Sequence, residues 1–288
     1  MISAEPAVLS TETTRHMWLV AILGALLVAI YWPTLARTTE LLVFSDDMAH
    51  GFFAPIVAMY VVWYKRSVAF SAAAQPTGWG ILVLAIAAVG GMIAALGEST
   101  TLSRFAFLLS LVGCLMLVGG LHAVRVLIFP LGLLLFTFPL PEVLYGDLTL
   151  PLQLLATRLS ESALETLGYS VLREGNILNL PHQRLSVVEA CSGIRSLVTL
   201  TFACVVYAYF FGERWLKVLI VLAAIPAAIL LNAARITVTG MLGERAPSLT
   251  QGIYHEMLGW GCFVAAFGVV FVFHRILRTV LGLQHKNV

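Results

Sequence analysis

Apolar residues run almost without interruption over about 17–33, 49–64, 80–97, 105–121, 126–140, 196–212, 216–241 and 255–273. A helix needs roughly 20 apolar residues to cross a bilayer. The pattern therefore predicts an all-α polytopic membrane protein with about eight transmembrane helices. The second and fifth runs are short, and Pro130 and Pro139 fall in the fifth. Proline is tolerated in such spans because neighbouring helices satisfy the freed backbone groups. No internal repeat interrupts the series, and residues 1–288 read as one integral membrane domain.

The stretch 141–190 has a different texture. Over 151–168, apolar positions recur at helical spacing with Arg158, Glu161 and Glu165 between them. Pro151 stands where a helix opens and Gly168 where one closes. This predicts an amphipathic helix lying at the membrane surface. Three short strands follow over 169–172, 176–180 and 184–188, separated by Arg173-Glu174-Gly175 and Pro181-His182-Gln183. A small β element thus leads into the sixth run.

Composition agrees with the pattern. The 288 residues are 60% hydrophobic and 11% charged, and mean hydropathy is +0.94, outside the soluble range. A net charge of +2 carries no nucleic-acid signature. Residues 1–16 are polar and the next run is long enough to span, so no cleavable leader is expected. Cys114, Cys191, Cys204 and Cys262 show neither a CxxC pair nor zinc spacing, and no metal or cofactor is expected. Cys114, Cys204 and Cys262 lie inside apolar runs, where a thiol is a small hydrophobic filler.

Orientation follows from basic residues in short loops. With a cytoplasmic N-terminus, Lys65, Arg66, Arg125, Arg214, Lys217, Arg275, Arg278 and Lys286 all fall inside. Arg37, Arg104 and Arg245 remain outside once the long 141–190 segment and the site arginines are discounted. Both termini are then cytoplasmic and 141–190 is external. Most acidic residues also fall outside, as solvated loop groups.

Cys191 alone among the thiols sits at a boundary, within Glu189-Ala190-Cys191-Ser192-Gly193-Ile194-Arg195. A helix start and a nearby arginine favour the thiolate there. Arg235 lies 19 residues past Leu216, about 28 Å along a helix, which brings it to the outer end of the seventh run. His255 stands in the first turn of the eighth. Three residues from three runs thus meet at one face. A histidine can take the proton of a thiol and return it to a leaving amine. An arginine can stabilise a tetrahedral oxyanion. Arg195 is one turn from Cys191, Asn232 precedes Arg235 in the same polar interruption, and Glu189 or Glu256 could orient the histidine. Asp46, Asp47 and His50 cluster before the short second run and are candidates for a supporting contribution.

These blocks resemble the exosortase/archaeosortase family of polytopic membrane cysteine transpeptidases. Glu189 through Arg195 is the strongest match, and Asn232-Ala233-Ala234-Arg235-Ile236 with the later His255 completes the family's ordered Cys, Arg, His set. Ala49-His50-Gly51-Phe52-Phe53-Ala54-Pro55 is similar to the family's N-terminal Ser-His-Gly motif, with Ala49 at the serine position. Phe138-Pro139-Leu140-Pro141 also fits. The resemblance covers roughly 45–275.

It implies Cys191 as nucleophile, His255 as proton shuttle and Arg235 as transition-state stabiliser, with sortase-like chemistry on a different fold. It implies as substrates exported proteins bearing a C-terminal Pro-Glu-Pro motif, a transmembrane helix and a basic tail. The cleaved acyl group would pass through a thioester to an unidentified acceptor nucleophile. Members accompany exopolysaccharide genes in Gram-negative bacteria, which implies the bacterial inner membrane and a periplasmic site. Some members carry a further C-terminal soluble domain; this chain ends at Val288 and is expected to lack it. Two rivals stay open on the residues alone. One is a non-enzymatic transporter or assembly factor for envelope polysaccharide, with Arg235 and His255 as pathway charges. The other is a serine protease using Ser192-Gly193.

Overall fold

The computed structural model describes residues 11–44, 46–71, 75–187, 193–213, 215–246, 248 and 252–282. Cys191 and Glu189 lie outside the described residues, as do the side chains of Asp46, Asp47 and His255. The chain is mostly helical and divides into two compact units, Met1–Pro139 and Leu140–Val288.

The first unit contains α1 (Thr11–Ile30), α2 (Trp32–Phe44), a 3-10 turn over Asp46–Phe52, α3 (Phe53–Ala69), α4 (Trp79–Leu96), α5 (Thr100–Val126) and α6 (Ile128–Leu133). A second 3-10 turn, Leu134–Thr137, extends α6. Between α1 and α2 the axis bends by 80°. Pro33 is the cause: it cannot donate to the carbonyl one turn back, and its ring crowds that position. The sequence pattern did not anticipate α2 as a separate helix.

Helices α4 and α5 pack at backbone distance, since a Cβ on Gly80 would lie 2.7 Å from the Gly113 carbonyl oxygen. Without water to drive association in lipid, such close approach of small residues supplies the packing. Hydroxyls join α5 to the bent pair: Tyr31 to Ser110 at 3.2 Å and Thr34 to Ser103 at 2.6 Å. Gly120 breaks α5 with φ +66 and ψ −166, a region essentially reserved for glycine. A Cβ there would overlap the Gln75 carbonyl oxygen.

The second unit contains α7 (Glu142–Thr166), β1 (Leu172–Glu174), β2 (Ile177–Asn179), β3 (Arg184–Ser186), α8 (Ile194–Phe211), α9 (Leu216–Arg245) and α10 (Ile253–Val280). Helix α7 begins nine residues before the expected opener, and Pro151 lies inside it. Pro141 is the residue that precedes the helix, with extended backbone at ψ 138. The predicted stop holds. Gly168 adopts φ +84, its N–H reaches the Glu165 carbonyl at 2.9 Å, and Tyr169 N–H reaches Leu164 at 3.0 Å. That paired closure is the Schellman motif.

The strands form an antiparallel sheet in the order β1-β2-β3, pairing Glu174 with Ile177 and Leu178 with Leu185. The β1–β2 turn is Gly175-Asn176, and Gly175 has the positive φ that a type II′ hairpin needs. Strand β1 runs through Arg173 and Glu174, which the sequence pattern had assigned to the turn. Leu164 of α7, Leu178 and Leu180 of the sheet segment, Val187 and Ile236 of α9 share one core.

Helical structure falls in each apolar run, in the fifth over Ile128–Thr137, but the expected eight transmembrane helices are not all long enough to span. Among the described residues, five are long and apolar enough to cross a membrane: α4, α5, α8, α9 and α10. The bent α1–α2 pair makes a sixth if it is one span, and α3 and Ile128–Thr137 are shorter. The chain is a multi-pass membrane protein.

Gly120→Ala should therefore destabilise the first unit. The backbone term alone is about 1–3 kcal/mol, and the overlap with Gln75 adds to it. Thermal unfolding in detergent would read this as a clear fall in Tm, whereas Gly132→Ala, in open space, should change little.

Candidate active site

Helix α9 carries a polar interruption at Asn232 and Arg235 within an apolar run, and such groups in spans face the protein interior. Its two faces have different partners. On one, the Ala233 carbonyl accepts from Thr237 Oγ1 at 2.9 Å and from Ser160 Oγ of α7 at 3.0 Å. Further along that face, Gln183 Nε2 donates to the Gly240 carbonyl at 2.7 Å. Glu244 accepts from His182 through the backbone N–H at 3.0 Å and pairs with Nδ1 at 2.8 Å. At 100° per residue, positions 233, 237, 240 and 244 lie on one stripe. Helix α7 and the β2–β3 turn thus hold α9 along it.

The opposite stripe carries Ala224, Ala228, Leu231 and Arg235. Ala224 and Ala228 are buried with Leu200 and Cys204 of α8 and Ala266 of α10. Arg235 and Asn232 line a crevice there with Ser196 and Leu200 of α8 and Cys262 and Phe263 of α10. Cys262, expected to be an apolar filler, lies beside the arginine in this crevice.

Two glycines make the approach possible. Gly193 caps the start of α8 in the left-handed region, φ +74. A Cβ on it would meet Asn232 Nδ2 at 3.1 Å, so the backbone lies directly on that side chain. On α10, a Cβ on Gly259 would stand 3.3 Å from Arg235 Cζ and Nη2. The guanidinium therefore rests against bare backbone. His255 occupies the first turn of α10, one turn before Gly259, as its sequence position predicts.

The described residues on either side of Cys191 are anchored to the same part of α9. Val187 is 1% exposed, its N–H reaches the Asn176 carbonyl at 2.9 Å, and it belongs to the core that includes Ile236. Gly193 lies on Asn232. The chain thus leaves the sheet and enters α8 beside the turn that bears Asn232, Arg235 and Ile236. Arg195 is half-buried in the first turn of α8, next to the crevice residue Ser196.

His50 is buried in the other unit, within the Asp46–Phe52 turn, and Glu256 is exposed on α10. Among the described residues, no three His, Cys, Asp or Glu side chains gather as a metal site. Gly259, Ser160 and the His182–Glu244 pair were missed by sequence reasoning, and Gly193 was noted only within the Glu189–Arg195 block, without its close approach to Asn232. Gly259 left one signal, its offset of one helical turn from His255.

Comparison with known proteins adds a family. No curated protein and no solved structure matches the chain. The family model described as transmembrane exosortase matches residues 41–272, a range that takes in residues from both units and every residue of the candidate site. The chain belongs to the transmembrane exosortase family.

Proposed function

We propose that the chain is a membrane cysteine transpeptidase in which Cys191 is the nucleophile, His255 the proton shuttle and Arg235 the oxyanion stabiliser. One observation supports this above the others: both described flanks of Cys191 pack beside the turn of α9 that carries Arg235, and α10 brings the backbone of Gly259, one turn from His255, against the same guanidinium. We treat the whole chain as a single exosortase domain, with eight crossings, both termini cytoplasmic and the site facing the periplasm of a bacterial inner membrane. The substrates are exported proteins with a C-terminal Pro-Glu-Pro motif, a transmembrane helix and a basic tail.

The residues divide the work as follows. Cys191 gives its proton to His255, and the sulfur attacks the carbonyl carbon of the scissile peptide bond. Negative charge that collects on the carbonyl oxygen is met by Arg235, whose planar fork aims two donors at one site. The C–N bond breaks, His255 returns the proton to the leaving amine, and a thioester remains on Cys191. The acceptor nucleophile then attacks the thioester, releasing the thiol and forming the product bond. Asn232 and Arg195 support the site from α9 and α8, Glu189 orients the histidine, and His50 is a further candidate for a supporting role.

Cys191→Ala and His255→Ala should abolish substrate processing at unchanged membrane abundance. Arg235→Lys should be nearly as damaging as Arg235→Ala, because losing a donor to an oxyanion costs about a hundred- to a thousandfold in rate. Processing at the wild-type rate by Cys191→Ala would overturn the peptidase reading in favour of the transporter rival.

Gly259→Val should slow the chemical step by pushing the guanidinium off its seat. An ångström-scale displacement costs on the order of a hundredfold in kcat. KM should change little, and the protein should still fold. An unchanged kcat would remove Arg235's seat from the argument. For topology, reporter fusions after Lys65, Arg125 and Lys217 should report cytoplasm, and fusions near Glu98 and Arg173 periplasm. A periplasmic signal after Lys217 would reverse the proposed orientation.

A further inference from the structure

Arg104 lies one turn into α5, about 6 Å from its N-terminal end, and only 4% of it reaches the surface. Its Nε donates to Thr38 Oγ1 of α2 at 3.0 Å. The Thr38 hydroxyl gives its own hydrogen to the Thr34 carbonyl at 2.8 Å, and Thr34 Oγ1 is taken up with Ser103. Among the described residues, the ion pairs are Arg173–Glu161 and His182–Glu244, and no carboxylate pairs with Arg104. A guanidinium stays charged in a protein. Burying such a charge is unfavourable unless an opposite charge or a full set of acceptors compensates. One neutral hydroxyl does not.

We propose that Arg104 is the centre of a binding site for the phosphate of a phospholipid headgroup. Arginine's planar fork matches phosphate in a bidentate fashion, and the Nη hydrogens remain for it once Nε is held by Thr38. The depth is that of headgroups, one turn from the end of an apolar span. The bend supplies the rest of the site. Helix α2 meets α1 at 80°, so the two cannot both follow the membrane normal. At 100° per residue Trp32 and Val43 fall on one side of α2, both exposed, and offer an apolar strip for acyl chains. A soluble anion would make no use of that strip. Thr38, which holds the arginine, lies on the buried side of the same helix.

The test uses the full-length protein purified in detergent, as wild type, Arg104→Gln and Arg104→Lys. Native mass spectrometry counts the phosphatidylglycerol retained through purification; the protein is then stripped of lipid, and thermal unfolding is followed with added phosphatidylglycerol, diacylglycerol or inorganic phosphate. Wild type should retain the lipid and gain Tm with phosphatidylglycerol but not with diacylglycerol. Arg104→Gln should bind about tenfold to a hundredfold more weakly, the usual loss for a charge-assisted hydrogen-bonded pair. Arg104→Lys, which keeps the charge without the fork, should fall between. Equal retention by wild type and Arg104→Gln overturns the proposal, as does an equal gain with diacylglycerol. A full gain from inorganic phosphate alone overturns the lipid as the source. No arm reads peptide chemistry, so failure of the transpeptidase reading leaves the outcome untouched.

Discussion

A polar group in the hydrocarbon slab must be satisfied inside the protein, and the course of this chain follows from that constraint. The polar interruption in α9 could not be left facing lipid. Arg235 turns instead into a crevice between α8, α9 and α10, seated on the backbone of Gly259, with Asn232 covered by Gly193. The same rule shapes the first unit, where Tyr31, Thr34 and Thr38 meet Ser110, Ser103 and Arg104 along one seam. In both places small residues or hydroxyls stand where larger apolar ones would displace the polar groups. Polar groups accommodated in this way mark the parts of a membrane protein worth testing for function.

Hydrophobic periodicity made the helices legible because lipid-facing and buried positions are both apolar, so each span reads as one unbroken run. Helix α7 and the sheet were legible for the opposite reason: alternation and turn residues interrupt the pattern at 141–190. Gly168 was readable as a stop because only glycine takes the left-handed closing position without strain. Pro151 misled, since proline also survives inside a helix when its neighbours relieve it. The bend before α2 was hidden within an apolar stretch, where Pro33 was the only mark.

Of the candidate site, the reactive residue types were readable in the sequence and the groups that pack around them were not. Cys191, Arg235 and His255 stood out as reactive types at the ends of apolar runs. Gly193 and Gly259 act by lacking a side chain, and a glycine in a span has no signature that separates close packing from a bend. Ser160 is a polar residue on an amphipathic helix, where polarity is unremarkable until its hydroxyl is found on the Ala233 carbonyl. Arg104 was counted only as a loop charge, and its burial beneath α2 is a tertiary fact.

The two stripes of α9 explain why a sheet so small belongs beside a membrane site. Transition-state stabilisation needs donors fixed before charge develops, because reorganisation at that moment forfeits the gain. A helix packed only by apolar contacts in lipid can rotate or slide at little cost. Here α7 and the β2–β3 turn bind carbonyls 233 and 240 and the carboxylate of Glu244. These contacts are directional, so they fix both rotation and depth of α9. The stripe opposite them is the one that carries Arg235. Gly243 extends the logic, since a Cβ there would overlap the end of the Gln183 side chain, the group that donates to the Gly240 carbonyl. The sheet thus serves as the register pin of the helix that carries Arg235, and the chain that leaves it runs on toward Cys191.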